Sequence, residues 1–139
     1  MTNLELHSLH NPFANLCGLR VIQGAGGNPE LTADYRPEFC NPYGRLHGGW
    51  IAAIVDTASG YNALTTMRAP VTVDCTIHYY RNITGGTVHT RTTVVKPGRT
   101  ICVLRVALLT EDDTLLAEGD FTYMDTAPAP RETGGSANG

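Results

Sequence analysis

The sequence predicts an α+β fold, with a curved antiparallel sheet of about six strands wrapped around one long helix. Three observations lead there. One segment carries a helical apolar period, several others alternate apolar and polar side chains, and the punctuation between the alternating segments is short. One helix cannot cover both faces of so wide a sheet. A sheet that curves around the helix is the simplest way to give the two a shared core.

Taken in order, the residues up to about Asn15 carry no extended pattern and predict short-range structure at best. Two modest strands follow at 19–23 and 31–36, separated by the Gly/Asn/Pro cluster at 24–29. The helix is predicted over 47–66, where Ile51, Ile54, Val55 and Ala58 fall at i, i+3, i+4 and i+7. Twenty residues would make it ~30 Å long. From 71 to 79 the odd positions Val71, Val73, Cys75, Ile77 and Tyr79 alternate with Thr72, Asp74, Thr76 and His78, as in a half-buried strand. The segment 87–95 is rich in β-branched residues. In 101–110 the even positions Cys102, Leu104, Val106 and Leu108 are apolar, and in 115–123 the odd positions Leu115, Ala117, Phe121 and Tyr123 carry the core face. The breaks "TGG" (84–86), "KPGR" (96–99) and "EDD" (111–113) are short enough for hairpins, which predicts a four-stranded meander after the helix. A single domain is expected over 1–126, followed by a disordered Pro/Gly/Ser-rich tail at 127–139.

Composition narrows the function classes. A chain of 139 residues can bury a core without staples. The net charge of −3, with no basic stripe, makes nucleic acid an unexpected partner. The four cysteines, Cys17, Cys40, Cys75 and Cys102, have neither CxxC nor metal-ligand spacing. Cys75 and Cys102 sit in apolar runs, where free cysteine acts as a small hydrophobe, so a reducing compartment is expected. "MTNLELHSLHNPF" lacks the basic start and apolar run of a signal peptide, and no segment approaches the ~20 apolar residues of a membrane span. The expected location is cytoplasmic. His78 and His89 have no ligand-spaced partner, so no metal is expected.

Two features of the helix stand apart from core packing. At its start lies "HGG", His47-Gly48-Gly49. The first N–H groups of a helix lack partners within it and attract negative charge, and glycine puts no side chain in the way of an approaching oxyanion. The alternative is that the glycines permit close packing and His47 is an ordinary cap residue. The second feature is the lone acid Asp56, able to act as general base or nucleophile, or simply to face solvent. Among weaker candidates, Lys96, Arg99 and Arg81 could meet the phosphates of a ligand or be solvated surface charges. Trp50, Tyr43 and Tyr61 could line an apolar pocket or be plain core.

Asn41, Gly44, His47, Gly48, Gly49 and Asp56 together form N-x-x-G-x-x-H-G-G-x6-D. This resembles the signature of the hotdog-fold acyl-CoA thioesterases, specifically their phenylacetic-acid-degradation branch. The resemblance covers about residues 15–125 and includes "VTVDCTIHYYRNI", which is similar to the family's strand after the helix. It implies that the Gly48 N–H polarises the thioester carbonyl and that His47, with Gly49 beside it, shapes the oxyanion site. It further implies that Asn41 hydrogen-bonds the carbonyl or the attacking water, that Asp56 is the catalytic carboxylate, and that Thr72 helps to hold the water. The Glu-type branch carries a Thr one turn after its acid; Gly60 stands there, which matches the Asp-type branch. A homodimer, often doubled to a homotetramer, is implied as well.

Spacing points to the same assembly. His47 and Asp56 are nine residues apart, ~13 Å of rise and roughly opposite helix faces, so they meet on one carbonyl only if two chains share the site. The expected activity is hydrolysis of acyl-CoA thioesters, aryl or medium-chain, without a cofactor, because carboxylate, water and oxyanion site suffice. Two alternatives remain. A hotdog hydratase or dehydratase would carry G-D-x-N-P-x-H, which is missing from this segment; a silent acyl-CoA binding module would need neither Asn41 nor Asp56.

Overall fold

The computed structural model describes residues 10–127; the predicted tail at 127–139 lies, but for its first residue, outside them. The elements are α1 (Pro12–Leu16), β1 (Arg20–Gln23), β2 (Pro29–Asp34), α2 (Gly48–Ala63), β3 (Pro70–Tyr79), β4 (Thr87–Lys96), β5 (Ile101–Thr110) and β6 (Leu115–Asp125). They form the expected six-stranded antiparallel sheet around one long helix, in the order β1-β2-β4-β5-β6-β3.

The apolar face of α2 is the centre of the core. Ile51, Ile54, Val55 and Ala58 are fully buried against Leu31, Val106, Leu108 and Phe121 of the sheet, each large side chain contributing ~1.5–3 kcal/mol by leaving water. The helix is shorter than predicted, 16 residues and so ~24 Å. It stops at Ala63 because the Thr65 hydroxyl donates to Asn62 O and the Met67 N–H turns back to Ala63 O, satisfying carbonyls the helix would otherwise leave open. The short-range structure expected near Asn15 is α1, five residues long, with Asn11 as its cap and Pro12 at its first position.

The four-strand meander is corrected. β4, β5 and β6 are joined by hairpins, but β3 pairs with β6 and β4 with β2, so the chain crosses over between β3 and β4. Backbone hydrogen bonds and one side chain hold the crossing. The Tyr80 and Arg81 N–H groups both donate to Leu116 O, and the Asn82 amide brackets Leu46, accepting from its N–H and donating to its carbonyl. The connection is thereby drawn beneath the start of α2 and cannot turn straight back.

Strict alternation in β3 is corrected as well. A bulge between Thr72 and Asp74 inserts Val73, so Thr72 pairs with Tyr123 and Cys75 with Phe121. Tyr123 and Phe121 both face the core. Thr72 therefore shares the helix-facing side with Cys75, Ile77 and Tyr79, while Val71 pairs with the exposed Met124. β3 is also an edge strand, and Val71, Val73, Cys75 and Tyr79 are all exposed rather than half-buried.

One buried carboxylate braces the other side of the sheet. Where β2 parts from β4, Glu30 accepts from the Thr92 N–H (2.6 Å), the Thr92 hydroxyl (2.8 Å) and the Thr90 hydroxyl (3.0 Å). Burial pushes its carboxyl up, opposed by these hydrogen bonds and by the Arg91 charge. Glu30→Ala strands three donors in a dry gap and is expected to cost roughly 3 kcal/mol in urea unfolding at pH 7; a loss within 0.5 kcal/mol of zero would contradict this. Because folded Glu30 binds its proton more tightly than the unfolded chain does, its protonation favours the fold. That contribution is complete below the unfolded value and fades as pH rises through the raised one, and it should vanish from the pH profile of the variant.

Candidate active site

The start of α2 is built by its cap. His47 holds extended backbone, and its Nδ1 accepts from the Gly49 N–H at 2.8 Å. With Nδ1 accepting, a neutral ring carries its proton on Nε2. Glycine at 49 keeps the cap uncrowded, because a Cβ there would stand 3.0 Å from His47 Nδ1 and push the ring aside by a few tenths of an ångström. The His47 hydrogen bond takes up the Gly49 N–H. No hydrogen bond reaches the Gly48 N–H among the described residues, and an approaching anion would meet that group first. Asn41 opens the preceding loop. Its Oδ1 accepts from the Tyr43 and Arg45 N–H groups at 2.9 and 3.2 Å, and Gly44, at φ 77°, lets the loop close. Beside this end lies an apolar cavity of about 410 Å³ lined by Phe13, Phe39, His47, Gly49, Trp50 and Ala53, with Phe39 and Trp50 stacked at 5.4 Å.

Asp56 lines a second cavity, also about 410 Å³, with Tyr61, Leu64, Arg68, Thr72 and Tyr123. Asp56 does not face open solvent. Its Oδ1 accepts from the Thr72 hydroxyl at 2.8 Å and the Tyr123 hydroxyl at 2.9 Å. Tyr123 is buried, and its oxygen also lies 2.7 Å from Ser59 Oγ and 2.8 Å from the Asp56 carbonyl. Burial, reinforced by the Asp56 charge, pushes the Tyr123 phenol well above its usual value. Thr72 reaches Asp56 only because the Val73 bulge turns it toward the helix.

The predicted residues thus fall into two groups. Asn41, His47, Gly48 and Gly49 lie in the loop and first turn that open α2, where His47 and Gly49 line the first cavity and Asn41 and Gly48 do not, and Asp56 with Thr72 lies at its middle on the second. The basic candidates divide in the same way. Arg81 follows β3 at the end where the Tyr79 ring lies 3.7 Å from the place of a Gly48 Cβ. Lys96 and Arg99 sit in the β4–β5 turn at the other end, where Asp125 joins Thr100 to the segment before β3. Lys96 Nζ lies 3.4 Å from Pro97 O and 3.5 Å from Ile101 O. Trp50 lines the first cavity and Tyr61 the second, whereas Tyr43 is 87% exposed and lines neither. His89 pairs with Asp113, and among the described residues no group of three His, Cys, Asp or Glu side chains is placed to hold a metal. Nor is any described helix long and apolar enough to cross a membrane. Tyr123 and Ser59 were missed from sequence. Tyr123 reads as one more apolar-face residue of β6, and nothing local announces its hydroxyl's partner.

The sequence model of the thioesterase superfamily matches residues 43–117, more than half of the chain. The chain belongs to the thioesterase superfamily. Its matched segment holds both the helix start and Asp56, and its fold is the family's hotdog. Among relatives of this thioesterase-superfamily chain, the medium/long-chain acyl-CoA thioesterase YigI of Salmonella typhimurium is 25% identical, over 86% of this chain and 89% of that protein. A thioesterase of Haemophilus influenzae superposes with TM-score 0.77 at 26% identity, over 89% of this chain and 90% of that one. PaaI of E. coli, from the phenylacetic acid degradation operon, shares the fold with TM-score 0.82 at 20% identity, over 90% and 91% of the two chains.

Proposed function

We propose that this chain hydrolyses acyl-CoA thioesters, with aryl or medium-chain acyl groups, at a site shared by two copies of itself. The observation that carries this reading is the link between the two half-sites and the free edge of β3. Thr72, near one end of the strand, holds Asp56, while Tyr79, at the other end, donates to Gly48 O at 3.3 Å. A ten-residue edge with exposed apolar side chains is an open template for another strand. If two β3 strands pair antiparallel about a two-fold axis, Thr72 of one copy lies toward Tyr79 of the other, and Asp56 comes to the partner subunit's Gly48. The same pairing carries Arg81 of one copy to the end that holds Lys96 and Arg99 of the other, a setting for the phosphates of coenzyme A. The exposed cross-strand row Val71–Met124–Ile101 on the opposite face supports doubling to a tetramer.

In this arrangement the thioester oxygen lies at the Gly48 N–H of one copy, with His47 and Asn41 beside it, and gains stabilisation as charge develops. Asp56 of the other copy acts as general base toward water or as direct nucleophile, with Thr72 alongside. Label found in Asp56 after a single turnover in isotopic water marks the second route. The sulfur departs as a thiolate, since thiol pKa values lie near ~8.5, so no strong acid or cofactor is needed. The apolar cavity with its Phe39–Trp50 stack has the size and character for an aryl or medium-chain acyl group.

The deciding experiment is a panel of acyl-CoAs assayed for free thiol. Release is expected, strongest for aryl or medium-chain substrates. Loss of enoyl absorbance without thiol release would instead mark a hydratase, and binding with neither signal a silent acyl-CoA module.

A further inference from the structure

We propose that Tyr123, backed by Ser59, is a positioning residue that fixes the Asp56 carboxylate so that Oδ2 is the oxygen presented to the reaction. This rests on the reading of Asp56 as the reacting carboxylate and goes beyond it by assigning its two oxygens different tasks.

Proton counting supports the assignment. The Tyr123 oxygen lies 2.9 Å from Asp56 Oδ1, 2.8 Å from Asp56 O and 2.7 Å from Ser59 Oγ, with the Thr72 hydroxyl also bearing on it, but it has only one proton to donate. The phenol keeps that proton, because burial and the neighbouring carboxylate both oppose its loss. A carboxylate is the stronger acceptor, so the proton goes to Oδ1. Ser59 Oγ lies 2.7 Å from both the Tyr123 oxygen and the Asp56 carbonyl, so with the Tyr123 proton on Oδ1 the single Ser59 proton is shared between these two acceptors. Ser59 thus backs the Tyr123 donor to Asp56 while also meeting the Asp56 carbonyl. Thr72 donates to the same Oδ1 from the neighbouring strand, directly opposite Tyr123 in register. Two hydroxyls on one oxygen fix the carboxylate's rotation, and neither touches Oδ2.

The surroundings fit a purpose for the hydroxyl beyond filling space. Phe121, two residues earlier on the same face, packs fully buried with no polar atom. Ser59 is itself fully buried beneath the Tyr123 phenol.

The test compares Tyr123→Phe, Ser59→Ala and the double variant with wild type. Tyr123→Phe keeps the ring and removes the donor. We expect kcat about tenfold lower, KM within about twofold, and the acidic limb of kcat/KM at higher pH, because the charged form of Asp56 has lost a donor. Tyr61 on α2 and Arg68 before β3, the other ionisable groups lining that cavity, are unchanged in all three proteins. Ser59→Ala should lower kcat about threefold alone and add nothing in the Tyr123→Phe background, as expected for one relay. A folded Tyr123→Phe protein with wild-type kcat and acidic limb overturns the proposal. So does a kcat loss with an unmoved limb and additive Ser59→Ala, which would mark a packing effect. Should Tyr123→Phe not fold, Ser59→Ala alone decides: a moved limb supports the relay and an unmoved one ends it. Asp56→Asn separates the two levels. If it retains activity, the site reading itself fails; if it is inactive while Tyr123→Phe is normal, only the positioning does.

Discussion

Asp56→Asn is expected to lower kcat by at least about 10²-fold while leaving the fold intact. The amide removes the base or nucleophile at nearly constant size. The structure adds why stability should survive. The amide oxygen can take the place of Oδ1 and still accept from Thr72 and Tyr123, so no buried hydroxyl loses its partner and the melting temperature should move little. Thiol release and thermal unfolding measured together check both halves. Near-normal turnover by the folded variant would remove Asp56 from the chemistry.

A mixture of two inactive proteins is expected to regain activity. Asn41→Ala damages the loop that leads into the helix start and Asp56→Asn the mid-helix group, which lines a cavity separate from the one at the helix start. In a mixed dimer one shared site carries both lesions and the other neither. Random pairing of equal amounts gives about half mixed dimers, so roughly a quarter of wild-type activity should return. Differently tagged chains, purified through both tags, establish that mixed dimers have formed. No recovery from them would mean that Asn41 and Asp56 act within one chain, or not together at all.

Much of the scaffold was readable because it depends on local periods. The spacing of Ile51, Ile54, Val55 and Ala58 marked the buried face of α2, and alternation in 117–123 marked the core face of β6, although at its start a register shift buries Leu116 rather than the predicted Leu115. What escaped depends on partners distant in the chain. The segment 71–79 alternates perfectly on paper, yet its pairing with β6 inserts Val73 as a bulge and reverses the side on which Thr72 lies. The short break at 84–86 looked like a hairpin, but Asn82 binds Leu46 across 36 residues and leads the chain elsewhere. At the site, the motif brought His47, Gly48 and Asp56 to notice, whereas Tyr123, 67 residues beyond Asp56, was hidden by its resemblance to an ordinary core aromatic. Glu30 was hidden for the same reason: its three donors come from β4.

The crossover between β3 and β4 also bears on how the molecule is made. β3 begins at residue 70, but its partner β6 begins at residue 115. At ~5–20 residues per second, the ribosome takes roughly 2–9 s to synthesise the intervening chain. Throughout that interval the nascent polypeptide holds Val71, Val73 and Ile77 before β6, the one strand β3 pairs with in the chain, has been made, and closing so long a loop slows the search further. The Asp56 network needs β6 for Tyr123, so it forms last, with the final hairpin. The nascent protein therefore passes through a stage when β3 can pair prematurely with a neighbouring chain on the same message, and chaperone protection during those seconds would favour yield more than any gain in final stability.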